Sequence, residues 1–150
     1  MGLPVGSSIP AFTLRDQEGN WFRSRDHIGK KPLVVFFYPK DFTPGCTAEA
    51  CAFRDSYEDF TEAGVLVVGI SSDSEKSHRK FAEKYRLPFT LLSDPRKEVR
   101  RKFRVENRLL NLLPGRETFV IDKQGTVIMA FEGIQASGHV RRALMALKKL

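Results

Sequence analysis

Two cysteines, Cys46 and Cys51, are the residues of this chain best suited to chemistry, and they are its only cysteines. Cys46 follows Thr43, Pro44 and Gly45, a run that predicts the start of a helix because threonine is a good N-cap residue and proline suits the first helical position. Cys46 then falls in the first turn, where unpaired backbone N–H groups and the positive end of the helix dipole favour an anion. We therefore expect Cys46 to form a nucleophilic thiolate more readily than a free thiol does.

The spacing of the two cysteines leads to a mechanical prediction. Five residues along an α-helix rotate by about 140° and rise by about 7.5 Å. A disulfide requires Cα atoms within about 7 Å of each other and converging Cβ atoms. Cys46 and Cys51 therefore cannot bond while the helix between them is intact, so formation of a disulfide would have to unwind part of that helix.

A reactive thiol alone is not an enzyme, because a catalyst also needs donors directed at the leaving group. Taken singly, each residue around the cysteine also has a structural explanation. Cys46 could be an apolar core residue, Thr43 only a helix cap, and Pro39 only the end of a strand. Arg116, next to Gly115 and before a predicted strand, could be a surface residue. These alternatives stay open as long as the residues are considered one by one.

The segments on either side of the cysteines predict a strand, a helix and a second strand. Leu33–Tyr38 is a continuous apolar run that stops at Pro39, which is typical of a strand covered on both faces. Val65–Ile70 is a second run of the same kind. The helix between them has one apolar face at spacings of four and three, made of Cys46, Ala50, Phe53, Tyr57 and Phe60. This order predicts a parallel pair of strands joined by a right-handed crossover.

The remaining segments complete an α/β protein. Hairpins are predicted for residues 12–15 with 21–23 and for 117–122 with 126–131, helices for about 74–85, for 96–104 and from about Gly138, and a short strand for 89–92. Together these elements predict a thioredoxin-like three-layer sandwich with a mixed central sheet, helices on both faces and an N-terminal β-hairpin. We expect residues 1–150 to form a single domain.

Charge raises one rival function, the binding of nucleic acid. The net charge is +7, and the densest basic stretch contains Arg96, Lys97, Arg100, Arg101, Lys102, Arg104 and Arg108. Zinc-finger spacing, an aromatic RNA-binding motif and a long basic tail do not accompany it. A solvated helix face therefore explains the stretch better, and we expect no nucleic-acid partner.

The sequence also gives expectations about membranes, metals and location. No signal peptide or apolar run long enough for a bilayer is visible, so we expect no membrane association. Two cysteines in such a chain favour a reducing cytoplasm, with a mature plastid form as the alternative. His27, His78 and His139 are scattered without ligand spacing to a cysteine, so we expect no zinc site. His78 is expected at the edge of the core.

Considered jointly, the residues resemble a known family. Pro39-x-x-x-Thr43-x-x-Cys46 is similar to the peroxidatic motif of the peroxiredoxins. The longer string from Phe37 to Asp55 resembles the peroxiredoxin Q subfamily, or bacterioferritin comigratory proteins, and the likeness extends to residues 12–14, 69–73 and 116–122. Residues 109–116 and the tail resemble the branch of the subfamily found in cyanobacteria and plastids. The likeness spans nearly the whole chain, and it overrules the alternatives that each residue has alone.

The resemblance implies a peroxidase without a bound cofactor or metal. It implies that Cys46 attacks a peroxide oxygen and becomes a sulfenic acid, while Thr43 and Arg116 hydrogen-bond the peroxide oxygens and Pro39 shields the pocket. Cys51 matches the resolving cysteine of many members, which forms an intramolecular disulfide. Thioredoxin or a thioredoxin-like protein then reduces that disulfide. The subfamily also implies a monomer.

Several neighbouring residues and one further rival activity complete the expectations. Glu49 is expected to cap a helix or form a salt bridge rather than to catalyse, and Arg54 to pair with Asp55 or Glu58 on the same helix. Phe42 stands where many relatives carry a polar residue, which suggests a preference for bulkier or apolar hydroperoxides. A thiol–disulfide reductase would use Cys-x-x-Cys, whereas four residues separate the cysteines here.

Overall fold

A computed structural model describes residues 2–105, 107–108, 113–114, 116–133 and 136–150 of the chain, the side chains at 107–108, 113–114 and 136–137 excepted. Most of the segment 109–116, whose resemblance points to the cyanobacterial and plastid branch, lies outside the described residues. Arg116, at its end, is described.

The centre of the fold is a mixed seven-stranded sheet with the strand order β2-β1-β5-β4-β3-β8-β9. Its strands are β1 (Thr13–Asp16), β2 (Trp21–Arg23), β3 (Leu33–Phe37), β4 (Leu66–Ser71), β5 (Thr90–Ser93), β8 (Glu117–Ile121) and β9 (Val127–Glu132), while β6 (Asn107–Arg108) and β7 (Leu113–Pro114) form a separate pair. β3, β4 and β5 run parallel, and β8 and β9 add an antiparallel hairpin beside β3. The predicted parallel pair and both predicted hairpins are confirmed.

Helices connect and cover the strands. They are α1 (Pro44–Asp55), α2 (Tyr57–Glu62), α3 (Glu75–Tyr85), α4 (Glu98–Lys102) and α5 (Ala136–Leu147). Ser74 caps α3 through its hydroxyl, which accepts a hydrogen bond from the backbone N–H of Ser77 at 3.1 Å. The last helix begins two residues before the predicted Gly138, within the usual uncertainty of a helix end.

The two faces of the sheet are covered differently. On one face, Val34, Phe36 and Val120 pack against the apolar sides of α1, α2, α3 and α5. On the other, Val35, Phe37 and Phe119 pack against α4 and the N-terminal segment, including Leu3, Phe12 and Phe103. The predicted three-layer, thioredoxin-like arrangement is therefore confirmed.

Two details differ from the sequence predictions. The helix predicted to run from Cys46 through Phe60 is broken at Ser56, where φ is −103° and ψ is 7°. The Ser56 N–H bonds the carbonyls of both Ala52 and Arg54, so the helix tightens and ends there before α2 starts. The basic stretch is not a uniformly solvated face either, because Arg100 is buried in α4, where the pKa of its guanidinium is lowered by burial despite nearby Asp94 and Glu117.

Candidate active site

The start of α1 places Cys46 where the sequence predicts it. Thr43 has an extended conformation (φ −74°, ψ 150°), and Pro44 is the first helical residue. The first amide used inside the helix is that of Thr47, which donates to the Thr43 carbonyl at 2.8 Å. The N–H groups of Gly45 and Cys46 precede it and point out of the helix end, so they favour a negative charge on the Cys46 sulfur.

The Thr43 side chain differs from a simple helix cap. Its hydroxyl makes no capping hydrogen bond to the helix. Instead, it donates to the carbonyl of Lys40 at 2.8 Å. Because the hydroxyl hydrogen is committed to that carbonyl, the oxygen retains lone pairs that can accept a hydrogen bond from a bound molecule.

Arg116 lies against the sulfur of Cys46 across 70 residues of sequence. Its Nη2 donates to Cys46 Sγ at 3.3 Å, and only 9% of the arginine side chain is exposed. Gly45 makes room for this contact, because a Cβ at that position would lie 2.9 Å from Arg116 Nη2. The alternative that Arg116 is a surface residue is therefore wrong. Its guanidinium faces the thiol in the first turn of α1.

Glu49 occupies the other side of the same guanidinium. Its Oε1 accepts a hydrogen bond from Arg116 Nη1 at 2.8 Å, so the expected salt bridge of Glu49 is present. Burial raises the pKa of this carboxyl to about 7, an effect that Arg116 only partly offsets. Burial lowers the pKa of Arg116, but Glu49 and Cys46 together raise it by more, so the guanidinium stays charged.

Behind Glu49 lies a buried histidine from α5. His139 Nδ1 lies 2.7 Å from Thr118 Oγ1 and 3.4 Å from Glu49 Oε2. His139 Nε2 lies 2.7 Å from the Gly133 carbonyl. Burial, joined by the charge of Arg116, lowers the pKa of His139 to about 4, so the ring is neutral at neutral pH. Nothing in the sequence around residue 139 pointed to this contact.

A second buried cluster holds the loop between β3 and α1. Asp41 accepts hydrogen bonds from the Tyr38 hydroxyl at 2.6 Å and the Ser77 hydroxyl at 2.8 Å. Its Oδ2 lies 2.7 Å from His78 Nδ1. His78 is completely buried, so its predicted place at the edge of the core is wrong. The reason is that Asp41 enters the core from the loop and gives the histidine a polar partner there.

Within the described residues, Asp41, Asp73 and His78 form a group that could hold a metal ion. Their oxygen and nitrogen ligand atoms all lie within 4.8 Å of one another. However, Asp73 accepts from the Asp41 N–H and the Ser71 hydroxyl, and both Asp41 oxygens are already hydrogen-bonded. Hydrogen bonds within the protein thus already occupy both Asp41 oxygens and Asp73 Oδ2.

The other predicted residues lie around this centre. Cys51 is half-buried in α1, and both cysteines carry free thiols. Pro39 lines a cavity of about 10 Å³ together with Phe37, Tyr38 and Arg100 among others, and Cys46 is not part of that lining. Phe42 is 44% exposed and has a left-handed φ of 67°.

Phe42 and Arg54 each contact a residue of α3. The Phe42 ring packs edge-on against Phe81 of α3, with centroids 5.1 Å apart. Arg54 pairs with Asp55 at 3.0 Å as expected, and also donates to the Tyr85 carbonyl at 2.7 Å.

A thiol in the first turn of a helix, with an arginine on its sulfur and a thioredoxin-like sheet behind it, fits the class of thiol-dependent peroxidases. Residues 5–130 match the model of the AhpC/TSA family. The chain therefore belongs to the AhpC/TSA family, within which its relatives are peroxiredoxins Q.

Individual relatives agree along nearly the full length. The chain is 53% identical over 146 residues to the chloroplastic peroxiredoxin Q of Sedum lineare, covering 97% of this chain and 78% of that one. Among solved structures, it is similar to peroxidoxin BcpB of Mycobacterium tuberculosis, with a TM-score of 0.91, 38% identity and 99% and 98% coverage. It is also similar to the bacterioferritin comigratory protein of Xanthomonas campestris, studied for its alkyl peroxide reduction activity, with a TM-score of 0.86, 35% identity and 92% and 90% coverage.

These relationships define the reaction class. The protein reduces peroxides with a cysteine thiol, and its family uses a peroxide as substrate and a thioredoxin-type protein as reductant. In the described part of the chain, none of the helices has the length and apolar character needed to span a bilayer.

Proposed function

We propose that Cys46 is the peroxidatic cysteine of this peroxidase and that Arg116 and Thr43 bind the peroxide beside it. The observation that carries the proposal is the 3.3 Å contact between Arg116 Nη2 and Cys46 Sγ. A charged donor on the sulfur stabilises the thiolate, and it stays in place to stabilise the oxygen that leaves. The free acceptor capacity of Thr43 Oγ1 suits the hydrogen of a hydroperoxide.

In the first step, the thiolate of Cys46 attacks one oxygen of the peroxide. An S–O bond forms as the O–O bond breaks, so the sulfur is oxidised to sulfenic acid and the peroxide is reduced. The second oxygen leaves with a proton as water or an alcohol. Arg116 is placed to stabilise the negative charge that develops on that oxygen.

In the second step, Cys51 is the resolving residue. Its sulfur attacks the Cys46 sulfenic acid, which releases water and forms an intramolecular disulfide. Both residues lie in α1, where a separation of five residues corresponds to a rotation of about 140°, so α1 must unwind locally for the sulfurs to meet. A dithiol of the thioredoxin type then reduces the disulfide and restores both thiols.

Peroxide consumption tests the assignment of Cys46. In an assay coupled to thioredoxin, its reductase and NADPH, the wild-type protein should consume hydrogen peroxide, and Cys46→Ser should consume none above background. The variant should unfold at the same urea concentration as the wild type, since the two side chains are close in size. Full activity in the folded Cys46→Ser variant would exclude Cys46 as the peroxidatic residue.

Mass spectrometry under non-reducing conditions tests the role of Cys51. After one equivalent of peroxide, the wild type should contain a Cys46–Cys51 disulfide, whereas Cys51→Ser should accumulate the Cys46 sulfenic acid. A stable sulfenic acid in the wild type, or disulfides only between molecules, would contradict the intramolecular cycle.

The partly exposed Phe42 ring supports a preference for bulkier or apolar hydroperoxides over hydrogen peroxide. The substitution Phe42→Asp should weaken that preference. Pro39 is proposed to shield the peroxide pocket. We further propose that residues 1–150 form one domain and that the protein is a monomer, which size-exclusion chromatography with light scattering tests. The proposed location is the cytoplasm, with a mature plastid form as the alternative.

A further inference from the structure

Glu49 has one oxygen that its ion pair with Arg116 does not use. Oε1 accepts from Arg116, whereas Oε2 is buried and has no hydrogen-bond partner among the described residues. This second oxygen faces His139 Nδ1 at 3.4 Å. Since leaving a buried carboxylate oxygen unpaired is costly, the protonation state of this pair needs an explanation.

The hydrogen bonds of His139 indicate a neutral ring. Nε2 lies 2.7 Å from the Gly133 carbonyl, which can only accept, so Nε2 carries a proton. With a neutral ring, Nδ1 accepts the hydroxyl hydrogen of Thr118 at 2.7 Å. In a doubly protonated ring, Nδ1 would donate, and that hydroxyl hydrogen would lose this acceptor. A charged pair with Glu49 would also be expected at about 2.7–2.9 Å rather than at 3.4 Å.

A neutral His139 favours a protonated Glu49. Nδ1 already accepts the Thr118 hydroxyl hydrogen and has no proton to donate to Oε2, and its partial negative charge at 3.4 Å disfavours a carboxylate there. The other charged or titratable groups at Glu49 are Arg116, which precedes β8, and Cys46, on the same helix and joined through Arg116. Beyond His139, the Phe131 ring packs at 4.8 Å, with Arg142 over that ring. Burial acts in the same direction, because it raises the pKa of Glu49 to about 7 and lowers that of His139 to about 4.

We propose that His139 is a positioning residue of the peroxidatic site: it keeps Glu49 protonated, so that the charge of Arg116 is not divided between a carboxylate and the Cys46 sulfur. The inference rests on the proposed roles of Cys46 and Arg116. When Glu49 loses its proton, two anions share one guanidinium, and less positive charge remains for the leaving oxygen. His139, on α5, thereby affects the rate of the first step without contacting the peroxide.

The pH dependence of the first step tests this role. The second-order rate constant for oxidation of Cys46 by hydrogen peroxide is measured by competition with a reference peroxidase from about pH 5 to about pH 9. In the wild type, the plot of this rate constant against pH should have a falling limb, with its midpoint near pH 7, the value to which the pKa of Glu49 is raised. His139→Phe keeps a ring but removes Nδ1, so the limb should move down by about one pH unit, which lowers the rate about fivefold near neutral pH.

Thr118 provides a variant with the opposite expected sign. Thr118→Val removes the hydroxyl that occupies the Nδ1 lone pair, so Nδ1 becomes free to accept from Glu49 and the limb should move to higher pH. Thr118→Ser keeps the hydroxyl and should leave the profile unchanged. Thr118→Val decides the question if His139→Phe fails to fold.

Glu49→Gln should remove the falling limb, and in this background His139→Phe should have no further effect on the profile. An unshifted limb in both His139→Phe and Thr118→Val, or an upward shift in His139→Phe, would overturn the role of His139. If Cys46→Ser is inactive while these variants leave the profile unchanged, only this inference fails. Peroxide consumption by folded Cys46→Ser would instead remove the proposed function itself.

Discussion

Two carboxylates are buried on either side of the start of α1, and each faces a buried histidine. Asp41 receives hydrogen bonds at both oxygens, from Tyr38, Ser77 and His78. Glu49 receives one, from Arg116, and its second oxygen has no hydrogen-bond partner among the described residues. The first carboxyl group therefore has protein partners at both oxygens and anchors a loop. The second keeps one oxygen without a donor and lies beside the arginine that contacts Cys46.

The two histidines differ in the partners of their ring nitrogens. Both nitrogens of His78 face acceptors, because Nε2 lies 3.0 Å from the Leu92 carbonyl and Nδ1 lies 2.7 Å from Asp41 Oδ2. His139 has a carbonyl on one side and a hydroxyl on the other, which leaves one nitrogen as an acceptor. The partners, not the burial, distinguish the rings. Burial, followed by the nearby Asp41 carboxylate, raises the pKa of the Tyr38 hydroxyl well above its ordinary value, so Tyr38 keeps the proton that it donates to Asp41.

The largest effect on stability is expected from Asp41→Asn. The substitution keeps the size of the side chain, but one of the two oxygens that face Tyr38, Ser77 and His78 becomes an amide nitrogen. Each buried donor left without an acceptor costs about 1–3 kcal/mol, so we expect a loss of about 2–5 kcal/mol. Urea unfolding followed by circular dichroism measures the change. A loss under about 1 kcal/mol would show that this hydrogen-bonded cluster does not anchor the loop.

The next largest effect is expected on activity, from Arg116→Lys. A single ammonium cannot contact Cys46 Sγ and Glu49 Oε1 through two separate nitrogens as the guanidinium does. We expect the rate constant for Cys46 oxidation to fall by about 10²-fold or more, as when one transition-state donor is removed. Competition kinetics at saturating reductant measures it. A rate within about threefold of the wild type would mean that charge alone, without the bridging geometry, is sufficient.

A smaller effect concerns the pH dependence of stability. The folded-state pKa of Glu49 is raised from 4.5 to about 7, so its contribution to stability is present below pH 4.5 and is lost as pH rises to 7. The folded-state pKa of His139 is lowered from 6.5 to about 4, so stability is lost as pH falls from 6.5 to 4. In the wild type, these two trends oppose each other, because the proton carried by the imidazole in the unfolded chain is carried by the carboxyl in the folded one.

Glu49→Gln should uncover the histidine trend alone. Its free energy of unfolding should fall by up to about 3 kcal/mol between pH 6.5 and pH 4, relative to the wild type over the same range. His139→Phe should show the reverse, a loss as pH rises from 4.5 to about 6, because the pKa of Glu49, about 7 in the wild type, should fall by about one unit in this variant. Urea midpoints at a series of pH values give both slopes. Slopes of the same sign in the two variants would contradict a proton that moves from histidine to glutamate on folding.

The smallest effect is expected from Asp55→Asn, the surface counterpart of Asp41→Asn. Asp55 pairs with Arg54 at 3.0 Å, but its side chain is 68% exposed. An exposed pair is worth under about 1 kcal/mol, and Arg54 keeps its hydrogen bond to the Tyr85 carbonyl. The same urea experiment measures it. A cost equal to that of Asp41→Asn would mean that burial does not separate the two carboxylates.

The residues that the sequence placed correctly are governed by local rules. Pro44 and the extended Thr43 fix where α1 begins, and the short apolar run at Leu33–Tyr38, stopped by Pro39, favours a buried strand. The partners of Glu49 could not be foreseen in this way. His139 lies 90 residues further on and reaches Glu49 only because α5 packs against α1 across the edge of β8. The break at Ser56 likewise depends on a shared amide hydrogen bond that leaves the apolar spacing unchanged.

That break also bears on how the molecule moves. Ser56 ends α1, and the N–H groups of Asp59 and Phe60 in α2 donate to the Ser56 carbonyl. The helix therefore changes at Ser56, between Asp55 and Tyr57. We expect amide hydrogen exchange to show α1 opening as a unit of its own while α2 stays protected. In the proposed cycle, the unwinding that joins the two cysteines would then be confined to the twelve residues of α1.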